Sequence, residues 1–279
     1  MSWADNHDAS LEKLKQVQGS LTVGLIMVHR DVFMTCRPFE TASEVKARNV
    51  NEYSFIPVKD ERDRIIGLYD AHRWFEADAP ATPVSEDYLP LSEDLVIGAD
   101  ASIFDFIMQA DKQPTNLVIS GNQVGGLVSL SDMQLLPVRV ALFALVTSLE
   151  MAMALAVERF WPDPDGWLSK ISAKRREKIE ADIEAAKKAG GFVSEIAFTQ
   201  ISDKASILRK GKVFTNSSSR LKSQFNEIRD LRDSLAHANR YADTPSNAER
   251  VCGTVRSIYE LKEELLKALE GAAPRESRA

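Results

Sequence analysis

Asn116-Leu-Val-Ile-Ser-Gly-Asn-Gln-Val-Gly-Gly126-Leu127-Val128-Ser129 decides how the first half of this 279-residue chain reads. An apolar run meets a Ser-Gly-Asn turn, and a second apolar run ends just beyond a glycine. That grammar is a β-hairpin. It occurs twice. Ser54-Phe-Ile-Pro-Val-Lys-Asp-Glu-Arg-Asp-Arg-Ile-Ile-Gly67-Leu68-Tyr69-Asp70 repeats it with a longer charged turn, and Gly67 and Gly126 are 59 positions apart. Each hairpin follows a helix signal. Thr41 caps one that carries Val45, and Asp100 or Ser102 caps Ile103-Phe104-Asp-Phe106-Ile107-Met108. Each also leads into a second helix, from Ala71 in copy one and from Ser131 in copy two. The expected unit is helix–strand–strand–helix, twice.

The order apolar-Pro-Val-x-Asp, then Gly-apolar-apolar-Ser/Thr-x-x-Asp, resembles the CBS domain family over about Leu21 to Leu136. The resemblance implies a tandem CBS pair (a Bateman module) that takes an adenine nucleotide, ATP, ADP or AMP, in the cleft between copies. It implies that the hydroxyl residue helps hold phosphate and that the Asp accepts from ribose hydroxyls. Copy two carries the motif: Gly126, Ser129 and Asp132. Copy one departs from it, with Asp70 in place of the hydroxyl and Arg73 in place of the carboxylate. An acid repels phosphate and an arginine cannot accept a hydrogen bond. One competent site is therefore expected. Helix capping by Ser129 and Asp132 is compatible with it, because a helix N-terminus also favours anions. His29, Arg30 and Arg37 lie before copy one and are candidates to supply phosphate-facing charge, against the plainer reading of solvated surface residues.

From Val138 onward strand grammar stops. Five helices are expected: Val138 to Trp161, ended by Pro162-Asp-Pro164-Asp-Gly166; Lys174 to Ala189, stopped by Gly190-Gly191; Ser194 to Leu208; Ser218 to Tyr241; and Ser246 to Leu269. The last has Val251, Ile258, Leu261, Leu265 and Leu266 as its core stripe. Five such helices form a bundle. The fold class is α+β, with segments 1–20 (polar), 21–137 (ligand sensing), 138–270 (helical effector) and a tail at 271–279.

The fourth helix buries Phe225, Ile228, Leu231 and Leu235 by spacing, and it carries Arg232, Asp233 and His237. Arg-x4-His with a polar second residue, late in a helical domain of this size, resembles the HEPN family. The resemblance covers about Val138 to Leu269 and rests outside the motif on helix layout. It implies a metal-independent endoribonuclease that leaves 2′,3′-cyclic phosphate and 5′-hydroxyl ends, and a stress or antiphage toxin role. Arg232, Asp233 and His237 are the expected catalytic residues. Histidine titrates near neutrality and suits proton transfer to and from the 2′-hydroxyl and the leaving oxygen. Arginine suits a charged phosphorane. Five residues of helix turn about 140° past one revolution, so the pair does not stack. An isologous homodimer, or a larger even-numbered assembly, brings two pairs to one phosphate. Lys210, Lys212, Arg220, Lys222 and Arg229 are the expected RNA contacts. Lys204 and Arg209 stand beside them, and a second basic run lies between Lys170 and Lys178. Phe214 and Tyr241 are the nearest bases-stacking candidates.

Composition sets bounds on these readings. Apolar residues make up 44% and charged residues 27%, as in a chain with ordinary cores. Net charge is −9 over residues 1–139 and +3 over 140–279, so a polyanion partner fits only the second part. Cys36 and Cys252 are far apart, against a disulfide framework or a zinc site, and a cytoplasmic location is expected. The segment Met1 to Ser20 does not read as a secretory signal. Ala141 to Val157 is apolar, but Glu150 sits in its middle, and a buried bundle helix is expected there in place of a membrane span. No metal and no membrane partner are expected. The alternative function is a non-catalytic nucleotide sensor whose bundle mediates dimerisation and partner or RNA binding.

Overall fold

The structure, a computed structural model, describes residues 16, 19–191 and 194–271. Most of the polar 1–20 segment and the tail beyond Gly271 lie outside them. Contacts divide the chain into two compact units, one of Leu21–Val138 and one that takes in Arg139 onward.

The first unit holds two sheets. Its strands are β1 (Val28–His29), β2 (Phe55–Lys59), β3 (Ile65–Asp70), β4 (Leu89–Pro90), β5 (Val96–Gly98), β6 (Thr115–Ser120) and β7 (Gln123–Ser129). The two sheets have the orders β1-β7-β6-β5 and β2-β3-β4. Both expected hairpins form, with Phe55 opposite Asp70 and Thr115 opposite Ser129. The helix before each hairpin forms as well: α1 (Ala42–Arg48), capped by Thr41 and Glu44, and α2 (Ile103–Ile107), capped by Ser102 and Asp105.

The repeat is longer than the hairpins suggest, and its ends are exchanged. Val28 and His29 of β1 pair with Leu127 and Gly126, completing the sheet of copy two. Leu89 and Pro90 of β4 pair with Leu68 and Gly67, completing that of copy one. Bridges Thr22–Ser102 and Thr41–Pro83 obey the same exchange: Thr22 is 61 positions before Pro83, and Thr41 is 61 before Ser102. The two repeat glycines are required by it. A Cβ on Gly126 falls 2.7 Å from the Val28 carbonyl oxygen, and one on Gly67 falls on that of Leu89. Between the hairpins, Ile65, Leu68, Leu117 and Val124 form a core with Phe33, Phe55, Ile119 and Leu127, so both copies bury one apolar face together.

The second helix of each copy differs from expectation. Copy one makes only a 3-10 turn, His72–Trp74, before a proline-rich stretch. Copy two makes a 3-10 turn, Leu130–Gln134; Leu135 is then extended, and a new helix starts at Leu136. Pro137 explains the restart. Its ring would clash with the carbonyl four residues back in a continuous helix, but is tolerated in a first turn.

The second unit consists of α3 (Leu136–Phe160, beginning at the unit boundary), α4 (Pro164–Leu168), α5 (Ala173–Lys188), α6 (Ile201–Lys210), α7 (Ser218–Ala236) and α8 (Pro245–Gly271). The Pro162–Gly166 stretch ends α3 and also seeds short α4 through an Asp163 cap. The expected third helix is split: Glu195–Phe198 is a 3-10 turn, Thr199 and Gln200 are extended, and α6 starts afresh under an Asp203 capping box. The expected fourth helix ends five residues early, at Ala236, because Ala238 turns left-handed with φ 53°. Val251, Ile258, Leu261 and Leu265 of α8 are buried, whereas Leu266 is 49% exposed and off the core stripe. Helix α3 is long and apolar enough to cross a membrane by length and composition alone. Two thirds of its apolar window (67%) is buried inside the protein. Its Glu150 carboxylate meets Lys204 at 3.1 Å; Lys204, 4% exposed, also donates to the Thr199 carbonyl at 2.7 Å.

Candidate functional site

In the first unit the site is built by the end of β7. Ser129 is the last strand residue and the first cap of the 3-10 turn. Its N–H donates to Asp132 Oδ2 at 2.6 Å and its hydroxyl to the same oxygen at 3.1 Å, while Ser131 Oγ lies 2.7 Å from Ser129 Oγ. One carboxylate oxygen is thus committed to the cap, and Oδ1 has no protein donor among the described residues. Asp132 is 8% exposed, and burial raises its carboxyl above the ordinary range against the lowering effect of the Ser129 bonds. A partly desolvated acceptor of this kind gains from a hydroxyl donor. Gly126 is committed to the approach of β1, a structural demand that the motif reading did not show.

The corresponding positions of copy one are self-occupied. Asp70 accepts from the His72 N–H at 3.2 Å. Arg73 donates to the Asp70 carbonyl at 3.0 Å and pairs with Asp87 at 2.5 Å, an acid from the exchanged segment. His29, Arg30 and Arg37, before copy one, are also engaged. Arg30 reaches Gln123, Val124 and Asp63, Arg37 reaches Asp60 and Asp63, and His29 pairs with Asp31.

In the second unit Arg232 and His237 are both exposed, Arg232 one residue before the last turn of α7 and His237 as its C-cap residue. Asp233 sits between them in the chain and holds Arg232 Nη1 at 3.1 Å. Lys210, Lys212, Arg220, Lys222 and Arg229 are exposed too; Arg220 meets Glu260 at 3.5 Å, and Arg229 meets Asp230 at 2.9 Å. Three sequence expectations are corrected here. Lys204 is buried against Glu150 and leaves the basic track, and Phe214 and Tyr241 are 7% and 4% exposed, inside the core. Burial holds the Lys204 ammonium pKa down against the raising effect of Glu150, and pushes the Tyr241 phenol up to about 12.

The sequence reading missed Arg139. Its Nη1 donates to the carbonyls of Ser234 and Leu235, both at 3.2 Å, its Nη2 to that of Asn239 at 2.7 Å, and its guanidinium lies 5.0 Å over the Tyr241 ring. The one signal was a lone cation in the first turn of an apolar helix.

No family model matches the chain, and no curated protein does. Solved structures similar to it include the CBS domain of the bacterial CNNM/CorC family Mg2+ transporter in complex with ATP, 21% identical, covering 43% of this chain and 92% of that one, with a TM-score of 0.35. A hemolysin-like protein of Oenococcus oeni containing a CBS domain is 19% identical, covering 44% and 94%, with a TM-score of 0.35. CBSX2 in complex with AMP is 17% identical, covering 43% and 96%, also at 0.35.

Proposed function

We propose that the first unit is a CBS-type pair that binds one adenine nucleotide at Ser129 and Asp132, and that the second is a metal-independent endoribonuclease working as a homodimer under control of that nucleotide. The observation that carries the second half is the joint exposure of Arg232 and His237 at the end of α7. The free Oδ1 of Asp132 and the internal Arg73–Asp87 pair support a single nucleotide site in copy two.

In this reading one His237 takes the 2′-hydroxyl proton as the 2′-oxygen attacks phosphorus. The bond to the 5′-oxygen breaks, and the His237 of the second copy protonates that oxygen. Arg232 neutralises the equatorial oxygens of the phosphorane after exchanging Asp233 for phosphate. The products are a 2′,3′-cyclic phosphate and a 5′-hydroxyl. Exposed Lys210, Lys212, Arg220, Lys222 and Arg229 hold the RNA backbone through salt-sensitive contacts.

The test is RNA cleavage by the purified chain in EDTA, with and without ATP, ADP or AMP. The expected result is cyclic-phosphate ends and a loss of about 100-fold or more in His237→Ala and Arg232→Ala, the range for removing an acid–base group. Equal cleavage by wild type and His237→Ala under every nucleotide overturns it. The Arg232–Asp233 pair favours a second reading, a non-catalytic RNA- or partner-binding dimer. That reading requires His237→Ala to leave binding and nucleotide response intact.

A further inference from the structure

We infer that Arg139 is the positioning residue for His237, an inference that rests on the ribonuclease reading above. Helix α7 ends in a Schellman turn: Asn239 N–H donates to the Ser234 carbonyl at 2.9 Å and Ala238 N–H to that of Leu235 at 3.4 Å. His237 is the cap residue between these bonds, with φ −94° and ψ 12°. The next position needs a left-handed backbone, where glycine is the usual residue. Here it is Ala238 at φ 53°, so the turn is strained where it sets His237.

Arg139 answers that strain. Its fork bonds the same two carbonyls that the Schellman turn uses, Ser234 and Leu235, and also the Asn239 carbonyl on the far side of His237. Both ends of the turn are therefore tied to one rigid planar group, and the face of Tyr241 fixes that group from a third direction. A cation at this place also complements the negative end of the α7 dipole. The imidazole itself stays exposed, so the clamp acts on the backbone that presents it and leaves the ring open to substrate. A lysine cannot reproduce a three-carbonyl fork.

The experiment uses the full chain labelled at the histidine Cε1 position, with the His237 resonance assigned by His237→Gln. Arg139→Gln is expected to move that resonance to the averaged position of a free exposed histidine. It is also expected to lower kcat for RNA cleavage about 10- to 100-fold with KM within twofold. Adding Ala238→Gly relaxes the turn without the clamp and restores the resonance and most of kcat. Adding Gly253→Ala, a remote stabilising change, restores neither. An unchanged His237 resonance in Arg139→Gln, or equal rescue by Gly253→Ala, overturns the inference. A wild-type chain that cleaves no RNA sinks the ribonuclease reading, while the resonance still decides whether Arg139 holds the turn.

Discussion

Gly126→Ala tests the exchanged strand directly. The added Cβ lies 2.7 Å from the Val28 carbonyl oxygen and 2.8 Å from Met27 Sδ. The methionine end is flexible and yields. The carbonyl belongs to β1, whose pairing consists of Val28 with Leu127 and His29 with Gly126. An ordinary carbon–oxygen contact is about 3.3 Å or more, so β1 must retreat by roughly half an ångström. Overpacking of that kind costs about 1–3 kcal/mol. The stiffer unfolded alanine chain returns about 0.4–1 kcal/mol. The net expectation is a loss of about 1.5 kcal/mol, or some 3–6 °C at the usual few degrees per kcal/mol. Urea denaturation, followed by the midpoint shift at constant slope, measures it. Gly253→Ala is the matched control. Nothing lies within 4 Å of its added Cβ in the interior of α8, so it gains up to about 1 kcal/mol from helix propensity. A Gly126→Ala protein as stable as wild type would refute the exchange of β1 onto copy two.

Three further outcomes follow from the same geometry. Asp132→Asn keeps a cap oxygen for Ser129 but no carboxylate. Because burial raises the Asp132 pKa, its contribution to stability is full below the unfolded value of 3.8 and is lost as pH rises through the folded one. The empty Asn variant should therefore gain up to about 1 kcal/mol at pH 7 and none at pH 3, by urea midpoints, while calorimetry shows nucleotide affinity down tenfold or more. Lys204→Met leaves Glu150 facing an apolar lining. With the Glu150 side chain 27% exposed, the cost is about 2 kcal/mol, and the Glu150→Gln/Lys204→Met double variant recovers most of it in a double-mutant cycle; strict additivity would contradict the pair. Ala238→Gly alone removes the left-handed strain and should raise stability by about 1 kcal/mol in a thermal melt, with a drop counting against the turn geometry.

What could be read in the sequence was whatever local chemistry determines. The hairpins were legible because alternation and turn residues specify them, and both form. The Thr41 cap was legible, and Ser102 was one of two candidates with Asp100, because cap partners stand within three residues. The exchanged strands were not. β1 and β4 are two residues each, and a pair of residues has no period to detect. The glycines that receive them marked the repeat without revealing what approaches them. The end of α7 was misplaced because nothing in Ala236-His237-Ala238-Asn239 forbids a further turn of helix; a residue nearly a hundred positions earlier, Arg139, bonds the carbonyls there. Lys204 looked like one more surface cation, since sequence spacing alone did not aim Glu150 at it.

The exchange of β1 and β4 also fixes a sequence of assembly. As the chain is made, copy one finds its last strand in the residues that follow it, and its sheet closes once Leu89 and Pro90 are available. β1 has no partner until Gly126 and Leu127 appear, and it must stay soluble through that interval. Each repeat carries the piece the other lacks. A fragment that held one repeat alone would lack the strand that completes its sheet here.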